Sequence, residues 1–248
     1  MYPTIFALSN DWVIAFFLNF LIILIAQRFP LLTKQGWIHA GVLGTILLGC
    51  IGWSGWFAVV IYFFFGTLVT KIGFKYKKSL GLSESRNGVR GPENLWGSAA
   101  TGTLFAILIK LYPSLYDNLI LAFAASFISK LSDTFGSEIG KRWGRKTYLI
   151  TNFELVPKGT EGAISIQGTL ASLAGSIIMT LSFSLIGLVP FEYFYVLTSI
   201  GFLATLLESI LGVLVQGRSN LLTNEFVNFI QTLIAALMAF IYSFLINK

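Results

Sequence analysis

Residues 129–168 read SKLSDTFGSEIGKRWGRKTYLITNFELVPKGTEGAISIQG, and the contrast between this stretch and its surroundings decides the fold. It holds four of the eleven acids (Asp133, Glu138, Glu154, Glu161) and six of the seventeen basic residues (Lys130, Lys141, Arg142, Arg145, Lys146, Lys158). Glycine punctuates it at Gly136, Gly140, Gly144, Gly159, Gly162 and Gly168. The chain on either side is mostly apolar. Of the 248 residues, 55% are hydrophobic and only 11% charged, with a mean hydropathy of +0.78. Soluble domains carry about 25% charged residues, so this composition indicates a chain dissolved in lipid. A transmembrane helix takes roughly 20 apolar residues. The length therefore accommodates seven to eight spans, and no soluble domain of useful size. The expected fold is an all-α, polytopic membrane helical bundle forming one integral membrane domain over 1–248.

Eight apolar segments are expected as helices, at about 11–29, 37–52, 56–73, 95–111, 116–140, 162–188, 191–215 and 225–247. Asp11 is read as the first cap, and Pro30 as the end of the first helix. GWSG (52–55) is read as a tight turn, and 74–94 and 141–161 as loops. Placing the loops after helices 1, 3, 5 and 7 on one side gives that side 15 of the 17 basic residues, leaving Lys110 and Lys248 on the other. Lys and Arg accumulate on the cytoplasmic side of membrane proteins, so these loops are expected in the cytoplasm. The net charge of +6 is then a topology signal, and no nucleic-acid partner is expected. MYPTIFALSND lacks a basic n-region, so no cleaved signal peptide is read. The lone Cys50 permits no intrachain disulfide.

Ionisable groups inside a bilayer cost roughly 2.5–3.5 kcal/mol on insertion scales and are usually paired or functional. Three clusters stand out. Asp133 and Glu138 lie at the end of helix 5, about 140° apart around it. Both reach one site only if that end unwinds or a neighbour supplies the rest. Glu208 sits in a small and polar stripe of helix 7. Asn224, Glu225, Asn228 and Gln231 open helix 8, and Arg90, Glu93 and Asn94 precede helix 4. All are expected near the cytoplasmic ends of their helices, at one depth. The stripe Gly162, Ser165, Thr169, Ser172, Ser176 also fits plain helix packing. The run 141–146 (KRWGRK) also fits headgroup contact. His39 is assigned nothing.

The sequence offers no Cys/His zinc set, no P-loop and no Ser-His-Asp constellation. What remains is carboxylates, Lys, Arg and glycine-rich backbone. Carboxylates hold Mg²⁺ while substrate phosphates fill its other positions. Cations and backbone N–H groups neutralise phosphate oxygens. Phosphoryl or nucleotidyl transfer at a membrane surface fits that chemistry. Intramembrane carboxylates also mark solute transporters, whose sites lie near the midplane, so depth discriminates between the two.

The strings RGPENLWGSAATG (90–102), KLSDTFGSEIGK (130–141), TYLITNFELVPKGTEGAISIQGTLASLAGS (147–176) and LTNEFVNFI (222–230) resemble the phytyl-phosphate kinase family, which includes the eukaryotic transmembrane-protein-19-like members. The matching blocks run from about 86 to 235, and the photosynthetic branch is the nearest in character. The resemblance implies transfer of a phosphoryl group from CTP or another nucleoside triphosphate to phytyl or geranylgeranyl monophosphate. The diphosphate would feed tocopherol and phylloquinone synthesis in a cytoplasmic or thylakoid-type membrane. A prenol or lipid kinase, or a cytidylyltransferase, is the alternative.

On this reading Asp133 and Glu138 bind Mg²⁺, with Asp133, Lys141 and Arg145 as the catalytic set. Arg90, Asn94, Lys158, Gly159, Thr160, Glu161, Gly162, Ser165, Glu208, Asn224 and Asn228 line the nucleotide and phosphate site. The turn PKGTEG (157–162) is expected to offer backbone N–H groups at the N-terminus of helix 6. The expected partners are a nucleoside triphosphate, a prenyl monophosphate and the lipid bilayer. The oligomeric state is left open.

Overall fold

The computed structural model describes residues 8–215 and 223–246. The start of the chain, with the absence of a basic n-region, and most of the 216–224 connection lie outside the described residues.

The helices follow the apolar segments closely. They are α1 (Leu8–Ala26), α2 (Lys34–Ile51), α3 (Trp53–Lys71), α4 (Phe74–Ser79), α5 (Pro92–Leu111), α6 (Tyr116–Trp143), α7 (Ile166–Leu185), α8 (Phe194–Val215) and α9 (Asn224–Ile246). Asp11 stands inside the first turn of α1 and does not cap it. Thr33 caps α2 by accepting from the Gly36 N–H at 2.9 Å. The expected four-residue turn at GWSG contracts to one residue: Gly52, at φ 82°, separates α2 from α3. Among the described residues, five helical segments are long and apolar enough to cross a membrane: Trp53–Lys71, Pro113–Trp143, Ile166–Leu185, Phe191–Leu214 and Asn224–Ile246. Seven to eight were expected. The apolar part of α1, Asp11–Ala26, is shorter, and α2 and α5 fall outside the five.

The bundle is arranged about α6. Its spanning window is 78% buried, against 33–44% for the other four. Residues Leu119 to Ser132 of α6 are buried without a break. A helix enclosed all round is a core helix, and α3, α5, α7, α8 and α9 all pack on it. α1 packs on α2 at the periphery and turns Phe16, Phe17, Phe20 and Leu21 outward. Polar side chains are spent inside. Ser132 Oγ donates to the Ser172 carbonyl at 2.9 Å, Thr101 and Thr232 share a 2.8 Å bond, and Gln231 Nε2 donates to the Ser129 carbonyl at 3.0 Å. Glycine permits the α6–α7 contact, because a Cβ on Gly168 would lie 2.9 Å from the Gly136 carbonyl oxygen. Ser172 and Ser176 of the small-residue stripe are buried there, as packing predicts.

Two expected loops carry structure. The segment 74–94 contains α4, which starts at the left-handed Gly73, and a 3-10 turn at Ser85–Gly88. The segment 141–161 contributes to a small antiparallel sheet of order β2-β1-β3: β1 (Thr147–Leu149), β2 (Leu155–Val156) and β3 (Ala163–Ile164). Tyr148 pairs with Leu155 on one side and Ile164 on the other. α7 therefore begins at Ile166, four residues beyond the expected start, with Ser165 as its cap.

Candidate active site

At one end of the bundle, α5, α7 and α9 begin where α6 and α8 run toward their ends. These ends, with the sheet and the 81–85 loop, enclose a cavity of about 500 Å³. Lining it are Arg90, Asn94, Asp133, Glu138, Lys141, Lys158, Gly159, Thr160, Glu161, Gly162, Ser165, Glu208, Asn224 and Asn228. Of the expected set, only Arg145 lies elsewhere. It is exposed beyond the end of α6, and its N–H meets Gln167 Oε1 at 3.4 Å. Asp133 and Glu138 share the cavity without any unwinding, since α6 runs unbroken to Trp143. The hollow is wide enough to wrap around the helix.

The side chains form two groups. In the first, buried Lys130 bonds Asp133 Oδ2 at 2.5 Å and Asn228 Oδ1 at 2.8 Å, tying α6 to α9. Glu208 of α8 is half-buried within electrostatic reach of Asp133, Lys130 and Glu161. Glu208 has no hydrogen bond or ion pair among the described residues. Asn94 Nδ2 donates to Glu225 Oε1 at 3.1 Å, joining the starts of α5 and α9.

The second group centres on Glu138, which is paired with Lys77 of α4. Lys77 is wholly enclosed and also donates to the Thr70 carbonyl at 2.9 Å. Lys141 stands 3.5 Å from Glu84 and 3.8 Å from Glu138. Partial burial raises the Glu84 carboxyl, but Lys141, a hydrogen bond with Glu138, and Lys130 and Arg90 together hold it below the usual glutamate range.

The turn 157–162 links β2 to β3 rather than opening α7. Gly159 and Gly162 adopt φ of 84° and 70°, which favours glycine. The Thr160 N–H and hydroxyl both go to the Pro157 carbonyl, and the Ala163 N–H goes to Thr160. Those donors serve the turn itself. The hydroxyl of Ser165 accepts from Gly168 N at 3.1 Å and caps α7.

Lys77, Lys130 and Glu84 were not among the expected site residues. Lys130 was detectable, since a lysine three residues before Asp133 in an apolar helix suits an ion pair. Lys77 was not, because it reads as one more loop cation until the fold sets it beside Glu138.

Six carboxylates (Glu84, Asp133, Glu138, Glu161, Glu208, Glu225) and four cations (Arg90, Lys130, Lys141, Lys158) line the cavity. A polyanionic ligand entering alone would meet net repulsion, whereas one carrying a divalent cation would not. Among the described residues, no three His, Cys, Asp or Glu gather as a metal cage. Mg²⁺ needs only one or two carboxylates when phosphates complete its shell. Asp133 and Glu208 fit that role, while Glu138 is committed to Lys77 and Lys141. The cavity lies at one end of the bundle, and the centre of α6 is closed by packed side chains.

Comparison with known proteins agrees with the membrane reading. The family described as Integral membrane protein DUF92 matches residues 17–236. The chain belongs to this family. It is 44% identical over 236 residues to an uncharacterised membrane protein of Synechocystis sp., covering 94% of this chain and 92% of that one. It is 36% identical over 241 residues to Protein VTE6, chloroplastic, of Arabidopsis thaliana, covering 93% and 72%. An uncharacterised membrane protein of Methanocaldococcus jannaschii is 31% identical over 237 residues, covering 93% and 95%. The cyanobacterial and chloroplastic relatives fit the photosynthetic branch expected from the motifs. No solved structure matches the chain.

Proposed function

We propose that this member of the DUF92 family is a membrane-embedded prenyl-phosphate kinase. It would move the terminal phosphoryl group of a nucleoside triphosphate, with CTP the favoured donor, onto phytyl or geranylgeranyl monophosphate. One observation carries the reading: acids from α6 and α8 and cations from α6, the sheet turn and Arg90 just before α5 converge on one cavity at the bundle's end. A transporter site belongs near the midplane with access to both faces, and α6 is closed there. The thylakoid-type membrane, with the cavity facing the cytoplasm, and supply of tocopherol and phylloquinone synthesis belong to the same proposal.

In the reaction, a phosphate oxygen of the prenyl monophosphate dianion attacks the γ-phosphorus. The bond from that phosphorus to the βγ-bridging oxygen breaks, and the nucleoside diphosphate leaves with the electron pair. The charges balance without proton transfer (−2 and −4 become −3 and −3), so no general base is required. Catalysis is then positioning and charge neutralisation. Asp133 and Glu208 would hold Mg²⁺, which would supply positive charge to offset that of the nucleotide. Lys130 fixes the Asp133 carboxylate, and Asn228 fixes Lys130. Arg90, Lys141 and Lys158 contact phosphate oxygens, and Asn94, Asn224 and Glu161 frame the nucleotide.

The test is direct. Purified protein is incubated with phytyl and geranylgeranyl monophosphates and each nucleoside triphosphate in turn. Prenyl diphosphate plus nucleoside diphosphate is expected. Release of pyrophosphate would instead identify a cytidylyltransferase, and turnover of the free alcohol a prenol kinase.

A further inference from the structure

A second cavity, of about 640 Å³, adjoins the first. Four cations line it (Lys71, Lys75, Arg90, Arg142) and no carboxylate does. This reverses the balance of the first cavity, where acids outnumber cations. Among the described residues Lys71, Lys75 and Arg142 have no acidic partner.

Arg142 is held in place. Its guanidinium lies 4.4 Å from the Tyr76 ring centroid and 5.4 Å from that of Trp143. A Cβ on Gly73 would collide with its side chain. Stacked arginines lose little freedom on binding and present a fork suited to phosphate. Lys71 ends the membrane-crossing segment Trp53–Lys71, which puts the cavity at one boundary of the bilayer. Its other walls include Pro30, Leu31 and Phe74, which suit a hydrocarbon neighbour. Thr70 and Arg90 line both cavities.

We propose that this second cavity receives the phosphate of the single-chain prenyl monophosphate, set beside the nucleotide cavity with Arg90 between the two anions. The inference rests on the kinase reading and assigns its two substrates to separate hollows. Acids hold the metal–nucleotide side, and unopposed cations hold the lipid side. A dianion at the membrane boundary is the ligand that three unopposed cations, with Arg90 beside them, and apolar walls would select.

The experiment has two arms. Lys71→Gln/Lys75→Gln removes two exposed cations with little risk to folding, and Arg142→Gln is the second variant. In steady-state assays each should raise KM for phytyl monophosphate about tenfold or more, with KM for the nucleotide within about twofold of wild type. In nanodiscs of neutral lipid without nucleotide, phytyl monophosphate should bind wild type and bind the double variant at least about tenfold more weakly. Inorganic phosphate and phosphatidic acid should compete poorly. Equal binding to wild type and variant, no binding to wild type, or equal shifts in both KM values would overturn the assignment. Equal competition by phosphatidic acid or inorganic phosphate would also overturn it, marking a general headgroup or anion pocket. If wild type binds phytyl monophosphate and the double variant does not, yet no diphosphate forms, the lipid site stands and the kinase reading fails.

Discussion

Asp133 and Glu138 lie five residues apart on α6 and answer to different partners. Asp133 holds Lys130 at 2.5 Å, and that lysine has Asn228 in reserve at 2.8 Å. Asp133→Asn is therefore expected to remain folded in detergent while single-turnover diphosphate formation falls about 100-fold or more, the usual cost of one positioned charge. Near-normal turnover would remove Asp133 from the metal role. Glu138 and Lys77 are 2% and 0% exposed. Removing one partner of such a pair leaves an uncompensated buried charge and costs about 3–5 kcal/mol. Glu138→Gln should melt well below wild type, and adding Lys77→Met should recover most of the loss. A melting temperature unchanged by Glu138→Gln would return that residue to the candidate ligands. Glu84 sets a pH limit. Its carboxyl is held below its ordinary value, so its contribution is present above the unfolded glutamate pKa of about 4.3 and is lost as pH falls through the lower folded value. Melting followed between about pH 3 and 6 should steepen at the acid end for wild type and less so for Glu84→Gln.

At the scale of elements, the sheet holds one wall of the cavity in place. Gly162 stands at φ 70° directly against Ser209 and Val213 of α8. An alanine there combines an unfavourable backbone, costing about 1–3 kcal/mol, with a collision against α8. Gly162→Ala should leave helical circular dichroism intact, lower turnover, and speed proteolysis within 145–165. Unchanged turnover and cleavage would mean that the sheet is decoration. The eight long helices were legible because each is a long apolar run ended by Gly, Pro or charge. The sheet was not. Its strands span two or three residues, too few to show an alternating pattern, and their pairing depends on a register set by turns. α4 was hidden for the opposite reason: six residues with three lysines read as a solvated loop until Lys77 is found 61 residues from its partner Glu138. The site was legible where polar groups interrupt apolar helices, as at Asp133, Glu208 and Asn228. Arg145 was misread because a cation just past a helix end can as easily face solvent as a ligand.

For the whole molecule, orientation follows from charge. The cavity, the basic loops and α4 all lie at one end of the bundle, and that end carries Lys75, Lys77, Lys78, Arg86, Arg90, Lys141, Arg142 and Lys158. Transferring so many cations across a membrane during insertion is disfavoured, and nucleoside triphosphates are supplied from the cytoplasm. Both arguments support the proposal that this end faces inside. Thr151 sits in the half-exposed to exposed β1–β2 turn of that end, and Cys50 is the chain's one thiol. In a Cys50→Ala background, Thr151→Cys should resist a membrane-impermeant maleimide added to intact cells and react once the cells are permeabilised. A cysteine in place of Pro113, at the opposite end between α5 and α6, should show the reverse order. Labelling of Thr151→Cys from outside would invert the topology. It would also separate the catalytic proposal from its nucleotide supply, since the carboxylate-lined cavity would then face a compartment without the donor.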